Sequence, residues 1–160
     1  MRIRTIMAAA LAALALTAVG CGGGKKGGDT TTTTEKKPEG GGTLYDRLGG
    51  KEAITAVVNE FVTIVVADDR INAFFKNADA DHLKKMLVEQ ICDASSGGTA
   101  CKYSGKDMKT AHTGMNVKDE HFNALVEDLG KAMTKLGVKE DIQKELVSAL
   151  APMHDDIVGH

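Results

Sequence analysis

From Glu52 to Ala67 the apolar residues Ile54, Val57, Val58, Phe61, Val62, Val65 and Val66 recur at helical spacing. That period predicts an amphipathic helix with a broad apolar face. The β-branched content alone would permit a strand, but the run is too long for one. Asp68-Asp69 ends it. A second period, Leu83, Met86, Leu87 and Ile91, follows Asp79 and Asp81, either of which can cap a helix, and Gly97-Gly98 breaks it. Phe122, Leu125, Val126, Leu129, Met133 and Leu136 share one face from Asp119 onward, until Gly137. Ile142, Leu146, Leu150, Met153 and Ile157 repeat the pattern between Lys139 and Val158, with a kink expected at Pro152. Upstream, Leu44-Tyr45-Asp46-Arg47-Leu48 is a short turn stopped by Gly49-Gly50. No stretch alternates as a strand does, and no hairpin signal occurs. The fold class is all-α, with main helices expected at about 52–67, 80–94, 119–136 and 139–158.

The first forty-odd residues follow other rules. Arg2 and Arg4 precede an apolar run from Ile6 to Val19. The run is short for a membrane span and reads as a secretory signal. Ala18-Val19-Gly20-Cys21 is similar to a bacterial lipobox, though Ala18 stands where leucine is usual. The similarity implies cleavage before Cys21 and lipid on that residue, with glycine after it pointing to the outer membrane. A signal peptide with a stray cysteine is the plainer alternative. Gly22 to Thr43 is nearly all Gly, Thr, Lys, Glu and Pro and cannot seed a core. Such a coil has an r.m.s. reach of roughly 25 Å. The expected organisation is a signal at 1–20, a lipid-anchored linker at 21–43 and one domain at 44–160.

Charge adds little. The chain carries −2, and losing Arg2 and Arg4 with the leader leaves −4. No basic stripe is present, which argues against a nucleic-acid partner. Of three cysteines, lipidation of Cys21 would leave Cys92 and Cys101, flanking Ser95-Ser96-Gly97-Gly98. An even pair in an exported chain reads as a disulfide, which over so short a loop is worth about 2–3 kcal/mol. The alternative, a metal or redox thiol pair, lacks Cys-x-x-Cys spacing.

His112 is the candidate for chemistry. It lies in Lys106-Asp107-Met108-Lys109-Thr110-Ala111-His112 between two amphipathic stretches, downstream of Phe74-Phe75. One neutral imidazole, an apolar slot and an aromatic wedge are what a protein needs to hold an iron porphyrin by one axial bond. Taken alone, such a histidine is more often simply packed. No Ser-His-Asp order, phosphate-cradling glycine loop or hydrolytic carboxylate pair occurs.

Several segments in order resemble group 1 truncated haemoglobins, the two-over-two globins. Leu44 to Gly50 is similar to that family's opening, and Val66 to Phe75 to its entry into the haem pocket. Gly97-Gly98, Tyr103-Ser104-Gly105, Met108-Lys109-x-x-His112 and the Ala151-Pro152 pair follow in the family's order. The resemblance covers essentially all of 44–160. It implies haem b held by His112 as proximal iron ligand, with Phe74, Phe75, Leu83, Leu87, Tyr103 and Met108 around the cofactor. Tyr45 could close the haem edge, and Lys102 and Lys106 could meet its propionates. The ligands implied are oxygen, nitric oxide or carbon monoxide. Reversible gas binding ranks first. Nitric oxide dioxygenase activity would need an external reductase, because no flavin or nicotinamide site is visible. A redox sensor or electron carrier would need a second axial ligand, such as His82. A helical adaptor without haem is the remaining class.

The distal side departs from the family. Its usual tyrosine, a hydrogen-bond donor to the gas ligand, follows a phenylalanine; here Val62 follows Phe61. Leu83 and Leu87 stand where relatives often have glutamine, and Gln90, one turn on, is the nearest polar candidate. His82 should point about 100° away from Leu83 and into solvent. His121 reads as a surface residue, and His154 beside Asp155-Asp156 as a solvated group or weak ion site. His160 is the last residue. A hydrogen bond to a partly charged ligand is worth roughly 1.5–3 kcal/mol. Without it, oxygen should leave about ten- to a hundredfold faster than from tyrosine-bearing relatives. Stopped-flow oxygen displacement measures this, and slow release would refute it.

Overall fold

The computed structural model describes residues 41–160. The signal, Cys21 and most of the linker lie outside the described residues. Helices account for the regular structure: α1 (Leu44–Leu48), α2 (Gly50–Ala67), α3 (Ala80–Ser96), α4 (Met108–His112), α5 (Asp119–Lys135), α6 (Glu140–Leu150) and α7 (His154–Ile157), with 3₁₀ turns at Asn72–Phe74 and Ala151–Met153. Among the described residues there is no strand, and no helix is long and apolar enough to cross a membrane.

Local chemistry sets the helix ends. Thr43, assigned by sequence to the end of the linker, caps α1 in a reciprocal box with Asp46. Gly49 then turns the chain at φ 97°, a left-handed conformation that glycine tolerates without a Cβ penalty. Of the two candidate caps for α3, Asp79 does the work: its carboxylate accepts from the backbone N–H groups of Asp81 and His82. Gly97 closes α3 in the left-handed region at φ 62°. The expected long last helix is interrupted rather than kinked. Proline has no N–H and its ring crowds the preceding turn, so α6 stops at Leu150, a 3₁₀ turn carries Pro152, and α7 starts again at His154.

Helices α2 and α3 pack on each other, as do α5 and α6, and the pairs meet through α2 against α5 and α3 against α6. The shared core holds Ile54, Val58, Val65, Ile91, Cys92, Met133 and Leu146, each almost fully buried. This is the all-α, two-over-two arrangement. Phe61 and Val62 belong to it, at 4% and 7% exposure. Arg47 of α1 pairs with Glu145 of α6, tying the first helix to the last long one.

A charged corner follows α2. Arg70 chelates Asp68, with contacts of 2.7–3.1 Å, and reaches Glu127 at 2.8 Å. The guanidinium holds the Asp68 carboxyl down at about 2. Asp128, fully buried, takes Lys131 Nζ at 2.7 Å on one oxygen, while its other oxygen has no protein partner. The network lies where the chain leaves α2, a few residues before Phe74 and Phe75.

Candidate functional site

Helix α4 is five residues long and none of them is buried. A helix this short does not hold itself together in water. Asp107 caps it by accepting from Thr110 N–H at 2.9 Å, and contacts with Thr110 keep the Asp107 carboxyl below the usual carboxylate range. The remaining restraint comes from outside the helix.

Much of it comes from α3. Cys92 and Cys101 form a disulfide with Cα atoms 5.6 Å apart. Tyr103 N–H donates to Asp93 Oδ2 at 3.0 Å. Ser104 gives Glu89 both its backbone N–H at 3.1 Å and its hydroxyl at 2.6 Å, and the hydroxyl bond is the main cause of a lowered Glu89 pKa. The Tyr103 ring folds back over Gly105, where a Cβ would fall 2.2 Å from the phenol oxygen. Glycine is required there by close approach rather than by backbone angle. Burial pushes the Tyr103 phenol upward in pKa. The loop before α4 is thus fastened to one face of α3 at Glu89, Cys92 and Asp93.

The C-terminus holds the other side. Asn116 N–H donates to His160 C=O and Gly159 N–H to Val117 C=O, both at 2.9 Å. Helix α7 packs on α4. His160 therefore pairs through its backbone with the turn after α4.

Within this frame His112 is half-buried, and its Nδ1 lies 2.7 Å from the Met108 carbonyl oxygen. A carbonyl only accepts, so Nδ1 carries a proton, and in the neutral ring Nε2 is then the nitrogen with the lone pair. A ring nitrogen fixed by a backbone carbonyl is the usual outer support of a metal-binding histidine. Phe74, Phe75, Leu83 and Leu87 are all only half-buried while packed against the core, so apolar surface is left along α3 and the 3₁₀ turn. An imidazole held through Nδ1, and apolar side chains left half-covered on α3 and the 3₁₀ turn, are the donor and the lining that an iron porphyrin takes. Among the described residues no group of three or more His, Cys, Asp or Glu side chains is arranged for a bare metal ion.

Other expected positions come out differently. Gln90 does not stand free as a distal donor: its amide nitrogen sits 3.0 Å from Met108 Sδ and 3.1 Å from Met153 Sδ, linking α3 to α4 and to the turn after α6. Tyr45 uses its hydroxyl to accept from Lys51 N–H at 3.0 Å, bracing α1 on α2. Lys102 and Lys106 are exposed, as is His82. His121 is not a plain surface residue. Its ring meets Phe74 edge-on at 4.9 Å and its Nδ1 accepts from Lys118 N–H at 3.2 Å, because the first turn of α5 needs a cap and Phe74 offers a ring face.

His154 is likewise engaged. Its Nε2 lies 2.9 Å from Asp119 and its Nδ1 3.0 Å from Asp155, with Phe122 edge-on at 4.9 Å. Asp119 is 35 residues away, so the sequence offered only the neighbouring acids as a hint.

A model of the family described as bacterial-like globin matches residues 43–158. The group 1 truncated haemoglobin of Tetrahymena pyriformis is 36% identical over 117 residues, covering 73% of this chain and 95% of that protein. Its counterpart from Synechocystis is 37% identical over 117 residues, covering 70% and 93%. The ferric crystal structure of the Tetrahymena pyriformis protein superposes with a TM-score of 0.71 at 35% identity, covering 74% of this chain and all of that one. The chain belongs to the bacterial-like globins, with group 1 truncated haemoglobins as its relatives. Membership implies haem binding and small gas ligands.

The His154 clamp has a pH signature. The hydrogen bond to Asp155, then that to Asp119, raises its pKa above the ordinary histidine value. A raised folded pKa stabilises the fold fully below the unfolded value, and the gain disappears as pH rises through the folded value. His154→Gln should therefore be less stable than the parent below about pH 6, with the gap closing on the alkaline side. Urea titrations across this range test it, and a gap independent of pH would remove the imidazolium account.

Proposed function

We propose that this chain is a membrane-tethered globin that holds haem b through His112 and reversibly binds oxygen or another diatomic gas, nitric oxide or carbon monoxide. The observation that carries the reading is the hydrogen bond from His112 Nδ1 to the Met108 carbonyl, which orients the ring and, in the neutral imidazole, makes Nε2 the ligating nitrogen. The haem iron supplies the gas-binding centre. Phe74 and Phe75 would wedge against the porphyrin, with Leu83 and Leu87 on the α3 side and Met108 below. Val62, in the position the family resemblance gives to a tyrosine, offers no donor to the ligand. A distal side so built does not retain a polar ligand by hydrogen bonding.

Tethering rests on Ala18-Val19-Gly20-Cys21 and the low-complexity stretch after it. The Cys92–Cys101 disulfide supports an oxidising compartment, since such bonds are rare in the cytosol.

Two experiments test these parts separately. Full-length chain titrated with haemin should give an intense Soret band at one haem per chain, and His112→Ala should lose it or weaken it severely. No stoichiometric uptake by the parent would sink the globin reading. In a bacterial host, the parent should take up labelled palmitate and fractionate with membranes, and Cys21→Ser should do neither. Unchanged fractionation of Cys21→Ser would remove the lipid anchor.

A further inference from the structure

Gln90 has a partner set that the gas-binding reading does not use. Its amide lies against two thioether sulfurs, Met108 Sδ at 3.0 Å and Met153 Sδ at 3.1 Å. A thioether is an acceptor only, so the NH₂ end of the amide must face the sulfurs. With two hydrogens and two sulfurs, both donors are used and the amide plane is fixed. Met108 is the first residue of α4, and its own carbonyl receives His112 Nδ1–H at 2.7 Å. A single residue therefore joins the α3 contact to the orientation of the imidazole. The other fastenings from α3, at Glu89, Cys92 and Asp93, hold the loop at Cys101, Tyr103 and Ser104, upstream of the helix. Gln90 reaches α4 itself.

We infer that Gln90 is a positioning residue for the iron ligand: by holding Met108 toward α3 it sets how far His112 rises toward the porphyrin. This rests on the haem reading above. Helix α4 has no buried residue of its own, so releasing Met108 lets the helix recede from α3. A bond from His112 Nε2 to a bound iron would then be weaker.

The iron–histidine stretching band of the ferrous, ligand-free protein reports that bond. With full-length chain and haemin, Gln90→Met keeps the volume but removes both donors, and should move the band to lower frequency. Met108→Leu should shift it in the same direction. The double variant should shift it no further than Gln90→Met alone, because both single variants break the Gln90–Met108 link. A band that stays in place in Gln90→Met, or two shifts that simply add, overturns the inference while His112-dependent haem uptake still stands. Absence of haem uptake by the parent overturns both. Should Gln90→Met take no haem, amide exchange in the haem-free proteins decides. The Ala111 N–H, bonded to Asp107 C=O at 2.9 Å, should exchange faster in the variant, and equal rates would refute the tether.

Discussion

Helix α4 is too short to set its own direction, and much of the surrounding structure answers that constraint. Five residues supply hardly more than one closed turn, and a lone turn is unfavourable in water. The chain compensates by fastening both flanks. Upstream, the disulfide and the Asp93 and Glu89 carboxylates hold the loop to α3. Downstream, the backbone at Asn116 and Val117 pairs with the last two residues, and α7 lies against α4. The imidazole of His112 inherits its orientation from these restraints through the Met108 carbonyl. Precision at one atom, Nε2, is thus assembled from contacts spread over α3, α4 and α7.

The two-over-two core makes this possible because α3 packs against both α2 and α6. Its inner face, with Val88, Ile91 and Cys92, is locked into the core against α2 and α6. One flank of that face carries Leu83, Leu87 and Gln90, and the opposite flank carries Glu89 and Asp93 toward the loop. One helix therefore serves as core element, apolar wall and anchor. The charged corner at Asp68 and Arg70 plays a similar part for the 3₁₀ turn that presents Phe74, while His121 from α5 closes on that ring from the other side.

What the sequence made legible follows interaction range. Helices α2, α3 and α5 are periodic over four or more turns, and their existence and faces could be read directly. Gly97 marks an end by local chemistry and was equally readable, while the sequence left the cap of α3 between Asp79 and Asp81. Pro152 declared a disturbance but not its outcome, because a kink and a break differ by how the following residues pack. The partners of Gln90, His121 and His154 were not legible. Met108 and Met153 lie 18 and 63 residues from Gln90, and nothing in the local pattern of a glutamine names a thioether. His121 read as a surface residue at the start of its helix, whereas Phe74 reaches it from a turn 47 residues earlier in the chain. The identity of His112 as the candidate ligand was legible, but the bond that orients its ring required coordinates.

The central claim is that His112 Nε2, oriented by the Met108 carbonyl, is the iron's protein ligand. Anomalous diffraction at the iron absorption edge, from crystals of the haemin-loaded full chain, tests it most directly. The account predicts one iron peak within bonding distance of His112 Nε2, with the porphyrin between α4 and the Leu83–Leu87 face of α3. A peak ligated by another side chain, or none in that space, would contradict it.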